Sequence, residues 1–228
     1  MLDNTIVISL GGSLIAPPEG IDVQFLKKFS AFIFRYVKQG KRFVIICGGG
    51  TTARAYQKAA EKVTQLTRDD LDWLGIHATR LNAHLLRTVF RSLAHPRIIT
   101  DPFEDINAKE PVIIGAGWKP GCSTDYDAVL LARKFGSQTL LNLSNIAFVY
   151  DKDPREFPDA KPLPKLSWKE LRAKFGTRWD PGLNSPFDPV ASKEAEKIGL
   201  QVIIAEGKDL KNLDAILQGK QYKGTLVQ

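Results

Sequence analysis

Cysteine and histidine are scarce in this sequence. Its 228 residues include two cysteines, Cys47 and Cys122, and three histidines. None of these residues has the spacing that a zinc site requires, so the sequence predicts no metal held by protein side chains. Cys47 ends an apolar run, which favours a buried thiol over a reactive one.

Long uninterrupted apolar segments are also missing. The first apolar run is broken by Gly11 and Gly12, and no basic stretch precedes it. This pattern is typical of neither a signal peptide nor a membrane span, so we expect a cytoplasmic protein that does not associate with a membrane.

The sequence has no run of basic residues interleaved with aromatic ones. Its formal net charge of +7 suits an anionic partner such as a nucleotide or a nucleic acid, or simply a solvated basic surface. Because the positive charges are scattered along the chain, a dedicated nucleic-acid groove is not expected.

Glycine-rich stretches follow two strand-like runs. Ile6–Leu10 leads into Gly11-Gly12-Ser13, and Arg42–Cys47 leads into Gly48-Gly49-Gly50. Either stretch alone could be an ordinary tight turn. Together they suggest a polyphosphate held between two loops, because glycine lets backbone N–H groups approach an anion closely.

Strand-like and helix-like segments alternate along the chain, which predicts an α/β fold with a mainly parallel sheet. Ligand loops of such folds lie at the carboxyl ends of strands. Both glycine loops, the loop ending at Asp125 and the turn-rich segment after Leu143 should therefore meet at one edge of the sheet. We also predict a strand at 97–100, a long helix at 68–94 and a long loop at 178–188. With no repeat or long linker, the chain is expected to form a single domain, 1–228.

The motifs taken together resemble the amino-acid-kinase superfamily and, within it, the archaeal-type UMP kinases. They occur in order along nearly the whole chain: Leu10–Ser13, Gly48–Gly50 with Arg54, Asp72–Ile76, Ser123–Asp125, Ser144-Asn145 with Val149-Tyr150 and Asp153-Pro154, and Asp188-Pro189. The resemblance implies a three-layer α/β/α sandwich. It also implies ATP-dependent phosphorylation of UMP to UDP, with Mg²⁺ held mainly by the nucleotide phosphates, and a homohexamer.

The resemblance implies a role for each motif. The N-terminal part, about 1–135, would hold UMP, and the C-terminal part, about 136–228, would hold ATP. The catalytic residues would be Gly11, Gly12, Ser13 and Arg54. ATP would contact Gly12, Ser13, Gly50, Arg54, Ser144, Asn145, Tyr150 and Asp153. UMP would contact Gly49, Asp72, Lys119, Pro120, Gly121, Cys122, Ser123, Thr124 and Asp125.

Two departures from the family pattern stand out. Ser9 occupies a position where many members have a lysine, so a cation must come from elsewhere; the candidates are Arg54, Lys119, Lys152 and Lys193. In the segment 144–150, Ala147 replaces an acidic residue and Phe148 a glycine. Two alternatives therefore stay open: a kinase of the same fold for another small acceptor, and a nucleotide-binding regulatory protein with weak catalysis. Individual residues also have simpler interpretations, Asp72 as a charge in the first turns of a helix and Thr124 as part of a helix cap.

Overall fold

The fold is built on a central sheet with helices on both faces. The structure, a computed structural model, describes residues 4–177 and 185–228. Its strands are β1 (Thr5–Leu10), β2 (Arg42–Cys47), β3 (Val112–Gly115), β4 (Thr139–Ser144), β5 (Val149–Tyr150), β6 (Pro162–Leu163), β7 (Lys165–Leu166), β8 (Gln201–Glu206) and β9 (Thr225–Val227). Its helices are α1 (Gly12–Ile15), α2 (Val23–Lys38), α3 (Gly50–Glu61), α4 (Arg68–Val89), α5 (Thr124–Lys134), α6 (Trp168–Phe175), α7 (Pro189–Lys197) and α8 (Leu210–Leu217).

Seven strands form the main sheet in the order β3-β2-β1-β4-β8-β9-β7. The pairs from β3 to β8 are parallel, whereas β9 runs antiparallel to β8. β5 and β6 form a separate antiparallel hairpin. The mainly parallel sheet predicted from the sequence is thus confirmed, and the carboxyl ends of β1, β2, β3 and β4 lie side by side.

Alternation along the strands gives the sheet two buried faces. Ile6, Ile8 and Leu10 of β1 pack in one core with α2, α4 and α8. Val7 of the same strand packs in the other core with α5, α6 and α7. Successive strand side chains point to opposite faces, so a strand apolar at both sets of positions must be covered on both sides. This is the three-layer sandwich that the resemblance implies.

Local sequence signals place several helix ends correctly. The Asp22 carboxylate accepts a hydrogen bond from the Phe25 amide at 2.9 Å and caps α2. Ser123 caps α5 through the Tyr126 amide at 3.1 Å. These short polar side chains satisfy N–H groups that have no partner within the helix.

Some predicted elements differ in the structure. The helix predicted for 68–94 ends at Val89, and at the predicted strand 97–100 only Ile99 forms an isolated bridge, to Gly115. The turn-rich segment contains β5 and β6, and β7 follows it directly. The sequence pattern did not reveal these strands because two-residue strands have no detectable periodicity. Of the predicted loop at 178–188, residues 178–184 lie outside the described residues. In the described part of the chain, no helix has the length and apolarity needed to cross a membrane.

Candidate active site

The two glycine loops lie against each other at the carboxyl edge of the sheet. A Cβ atom on Gly12 would overlap the carbonyl oxygen of Gly48 and stand 2.6 Å from the Gly50 nitrogen. Gly50 has φ +56°, in the left-handed region that glycine adopts without steric cost. No larger residue fits at this contact, so the backbones of the two loops line one common surface.

Arg54 connects the two loops through its side chain. Its guanidinium donates hydrogen bonds to Ser13 Oγ at 3.0 Å and to Thr51 Oγ1 at 3.2 Å. Arg54 lies on α3, directly after the second glycine loop, and Ser13 lies on α1, directly after the first. An exposed cation therefore stands beside the loop surface where backbone amides are concentrated.

An open cavity of about 230 Å³ lies beside Arg54. Its walls are formed by the second glycine loop, α3, α4 and the start of α5. The lining residues are Gly49, Gly50, Ala53, Arg54, Gln57, Leu71, Asp72, Gly75, Ile76, Thr79, Gly117, Cys122, Ser123, Thr124, Asp125, Ser185 and Asp188. Eight of the predicted site residues line this one cavity: Gly49, Gly50, Arg54, Asp72, Cys122, Ser123, Thr124 and Asp125. Gly11, Gly12 and Ser13 of the first glycine stretch do not line it.

Polar side chains of α4 hold the loop formed by residues 117–123. Asp72 Oδ2 accepts a hydrogen bond from the Gly121 amide at 2.7 Å, and Thr79 Oγ1 accepts one from the Gly117 amide at 2.8 Å. Arg80 donates to the carbonyl oxygens of Gly117 and Trp118, at 3.3 and 3.0 Å. The 117–123 loop is therefore attached to α4 through its backbone, and Asp72 is more than a helix-terminal charge.

Lys119, Pro120 and Gly121 of this loop do not line the cavity. The Lys119 ammonium lies 3.9 Å from the centre of the Trp118 ring and is exposed. Burial raises the pKa of the Cys122 thiol to about 11, so this cavity thiol is neutral at physiological pH. Cys47 is fully buried, as predicted.

Asp125 forms the centre of a buried polar network. Its Oδ1 accepts hydrogen bonds from Ser9 Oγ at 2.9 Å and Asn142 Nδ2 at 3.2 Å, and its Oδ2 accepts one from the Asp188 amide at 3.1 Å. Burial and the nearby Asp188 carboxylate raise the pKa of Asp125 to about 6. Burial also raises the pKa of Asp188. Ser9 is thus a hydrogen-bond donor to a buried acid.

The residues assigned to ATP fall into two groups. Gly11 donates its amide hydrogen to Leu143 O at 2.8 Å, which places Ser144 directly beside the first glycine loop. Asn145 is exposed, and Tyr150 and Asp153 lie on and just beyond β5. Asp153 pairs with Arg155, which lowers the pKa of Asp153 to about 2. The contacts of the described residues do not bring Tyr150 or Asp153 to the cavity.

Of the four candidate cations, Arg54 is the one whose described contacts include a residue of the first glycine loop. Lys152 pairs with Asp159 at 2.7 Å, Lys119 covers Trp118, and Lys193 is exposed on α7. The geometry therefore favours Arg54 as the cation that serves the loop surface.

Sequence patterns had not indicated several residues of the site. Thr79, Arg80 and Asn82 were among them, and Asn82 donates to Gly48 O at 2.9 Å. Helical spacing from Asp72 could have identified Ile76 and Thr79, because residues four and seven positions further along face the same way. The bond between Ser9 and Asp125, 116 residues apart, carries no such local pattern.

A parallel α/β sheet with two apposed glycine loops, a cation and a cavity at its carboxyl edge defines a phosphate-binding protein of the α/β class. Comparison with known proteins makes this specific. The model of the amino acid kinase family matches residues 4–206, and the chain belongs to that family.

Among its relatives are two archaeal proteins named uridylate kinase. The one from Pyrococcus abyssi is 35% identical, over 98% of this chain and 99% of its own length. The one from Methanospirillum hungatei is 34% identical, over 98% and 94%. The crystal structure of uridylate kinase from Archaeoglobus fulgidus matches all of both chains with a TM-score of 0.81 at 28% identity. UMP kinase from Bacillus anthracis, 21% identical with a TM-score of 0.78 over 99% of this chain and 96% of its own, shares the fold.

Proposed function

We propose that this protein transfers the terminal phosphoryl group of ATP to UMP and so forms UDP and ADP. The relatives that match it over nearly its full length are named uridylate kinase. The observation that carries the proposal is the cavity beside the apposed glycine loops, with Arg54 at the boundary between them.

In the proposed reaction, a phosphate oxygen of UMP attacks the terminal phosphorus of ATP, and the bond from that phosphorus to the bridging oxygen breaks. UMP supplies an anionic nucleophile, so no general base is needed, and the protein has to position the groups and compensate their charge. We assign the cavity with Asp72 and Thr124 to UMP. We assign Gly11, Gly12, Ser13 and Ser144 to ATP, because Ser144 adjoins the first glycine loop.

Arg54 lies between these two assigned sites. A guanidinium can bind two phosphate oxygens at once, so Arg54 suits the charge that is shared between donor and acceptor during transfer. Its bond to Ser13 Oγ holds it at the surface where the two phosphates would meet.

ATP-dependent kinases use Mg²⁺, and the donor set on the protein indicates how it would be held. The residues that the structure describes contain no cluster of three or more His, Cys, Asp or Glu side chains suited to a metal. At the cavity, both oxygens of Asp125 already accept hydrogen bonds. The arrangement fits Mg²⁺ carried mainly by the nucleotide phosphates and water, where it would neutralise phosphate charge.

The proposal includes a homohexamer in the cytoplasm, engaged in pyrimidine nucleotide synthesis. Light scattering coupled to size-exclusion chromatography tests the assembly: a mass near six times the 25.3 kDa chain is expected.

A coupled assay of ADP release tests the reaction. UMP, CMP, dCMP and isopentenyl phosphate are each supplied with ATP and Mg²⁺. We expect UMP to give the highest kcat/KM by a wide margin. A preference for isopentenyl phosphate would instead indicate another acceptor, and ATP binding without ADP release would indicate a regulatory nucleotide-binding protein.

A further inference from the structure

Asp127 is a buried acidic residue that the proposed reaction does not use. It lies in α5, and its side chain is 1% exposed. Its Oδ2 accepts a hydrogen bond from the Trp118 amide at 3.1 Å, while its Oδ1 is buried without a hydrogen-bond partner. A buried carboxyl group in this condition requires an explanation, because an ionised carboxylate normally recruits several donors or a cation.

The contact with Trp118 makes Asp127 part of the support of the 117–123 loop. Arg80 binds the carbonyl oxygen of Trp118, and Asp127 binds its amide. The Trp118 backbone is therefore held from α4 and from α5 at the same time. Residues on either side of it, Gly117 and Gly121, bind Thr79 and Asp72. The position of this loop sets the shape of the cavity wall that Gly117 and Cys122 form.

The surroundings of Asp127 disfavour a negative charge. Its ionisable neighbours include three further aspartates, Asp101, Asp125 and Asp188, and two groups that ionise to anions, Cys122 and Tyr126. No ion pair joins Asp127 to a lysine or arginine in the described part of the chain. Arg80, which binds the same loop, donates to the backbone carbonyls of Gly117 and Trp118. Burial, with the Asp125 carboxylate adding to it, raises the pKa of Asp127 to about 7.

We propose that Asp127 is a positioning residue that holds the 117–123 loop in its UMP-binding position through the uncharged form of its carboxyl group. The inference rests on the proposed function. Ionised Asp127 needs a donor such as water at Oδ1, and with the loop in this position Oδ1 is buried without a partner. Bound UMP adds phosphate charge near Asp125 and Asp188 and so further disfavours ionisation. The described position of the loop and the binding of UMP are thus coupled to retention of one proton.

The first test measures the KM for UMP at saturating ATP, at about pH 6, 7 and 8, in the wild type, Asp127→Asn and Asp127→Ala. The matched control is Asp105→Asn, which removes an exposed carboxylate. Asparagine keeps the acceptor for the Trp118 amide but cannot ionise. With a pKa of about 7, about a tenth of Asp127 is uncharged at about pH 8, so the wild-type KM should there exceed that of Asp127→Asn about tenfold.

At about pH 6 the wild type and Asp127→Asn should agree. Asp127→Ala, which leaves the Trp118 amide without its acceptor, should raise the KM for UMP at every pH and leave the KM for ATP unchanged. Asp105→Asn should follow the wild type throughout. Equal KM values for the wild type and Asp127→Asn at about pH 8 would overturn the inference.

A second measurement does not depend on the variants folding. Calorimetric titration of the wild type with UMP at about pH 8, in two buffers of different ionisation enthalpy, counts the protons exchanged. UMP is then a dianion, since the second pKa of a phosphate monoester is about 6, so uptake reports on the protein. Uptake approaching one proton is expected, and no uptake contradicts the inference. Failure of the proposed function differs from either result: the wild type then releases no ADP with UMP at any pH, which overturns both proposals.

Discussion

At the scale of single residues, Ser9 binds a buried acid, and the accessible positive charge lies on another element. Ser9 is buried and donates to Asp125, and its neutral side chain supplies no cation. Arg54 reaches the first glycine loop from α3 and makes contact with Ser13. The exposed cation and the buried acid of this site thus contact residues that are remote from them in sequence.

We predict that Arg54→Lys lowers kcat about tenfold or more, equivalent to about 1.4 kcal/mol of activation free energy, without unfolding the protein. A lysine ammonium cannot bridge two oxygens in the fixed geometry of a guanidinium. Steady-state kinetics with UMP and ATP measure the effect, and Arg91→Lys, at an exposed site after α4, is the control. Unchanged turnover would assign the compensating charge to another residue, with Lys119 next to be tested.

Asp72→Ala should raise the KM for UMP. The expected loss of binding free energy is about 1.5–3 kcal/mol, the usual contribution of a hydrogen bond to a charged group. Asp72 holds the Gly121 amide and lines the cavity, so its loss affects both the loop and the proposed ligand. The KM for ATP should change little. Asp69→Ala removes an exposed carboxylate from the same helix and serves as the control. If the two variants have the same KM for UMP, Asp72 is not part of the site.

At the scale of elements, the close contact of two loops and the docking of α4 create the site. The loops after β1 and β2 meet where a single Cβ cannot be accommodated. One face of α4 then binds the second loop through Asn82 and the 117–123 loop through Thr79 and Arg80. A single helix therefore fixes two walls of the cavity.

Gly12→Ala should destabilise the protein by about 1–3 kcal/mol and reduce kcat/KM for ATP, because the added Cβ forces the glycine loops apart. Thermal denaturation and steady-state kinetics measure the two effects. The control is Gly219→Ala. Here φ is +66° and an added Cβ would have no neighbouring atom within 4 Å, so the methyl group adds backbone strain without a clash. Both variants should lose stability, but only Gly12→Ala should lose activity.

The β5–β6 hairpin allows a test of the ATP assignment. Asp153→Ala should raise the KM for ATP and leave that for UMP unchanged, if the connection between β5 and β6 contacts the base or ribose of ATP. Asp159→Ala, which breaks the neighbouring ion pair with Lys152, controls for a change in the connection itself. Isothermal titration with each nucleotide distinguishes the cases: equal weakening of both nucleotides by Asp153→Ala would mean that this residue is structural.

At the scale of the whole molecule, burial beneath the site sets how stability depends on pH. Burial raises the pKa values of Asp125 and Asp127 to about 6 and about 7. The folded protein therefore keeps protons that the unfolded chain releases above about pH 4. Their contribution to stability is complete below that pH and is lost as the pH rises to about 7.

We predict that the melting temperature falls between about pH 5 and about pH 7 and levels off above that range. Exposed carboxylates with lowered pKa values, such as Asp153 and Glu170, act in the opposite sense and lose their contribution below about pH 4. Differential scanning calorimetry across this range measures the trend. Asp127→Asn should reduce the fall, and a wild-type melting temperature that rises from about pH 5 to about pH 7 would contradict the prediction.

The sequence by itself determined the alternation of the main strands and helices, the parallel sheet and the position of the glycine loops at its carboxyl edge. These features follow from local causes: the alternation of apolar residues, caps such as Asp22 and Ser123, and glycines at the ends of strands. The family and its reaction could be recognised from the same motifs, because each motif is a short continuous segment.

Tertiary structure alone decided which side chains meet. Ser9 contacts Asp125, Arg54 contacts Ser13, and Asp127 contacts Trp118 only once helices have docked against the sheet and loops have closed. The raised pKa values of Asp125 and Asp127 have the same origin, since they depend on water being excluded by neighbours distant in sequence. Local propensity acts over a few residues, whereas hydrogen-bond distances and desolvation depend on how whole elements pack, so only the folded molecule fixes them.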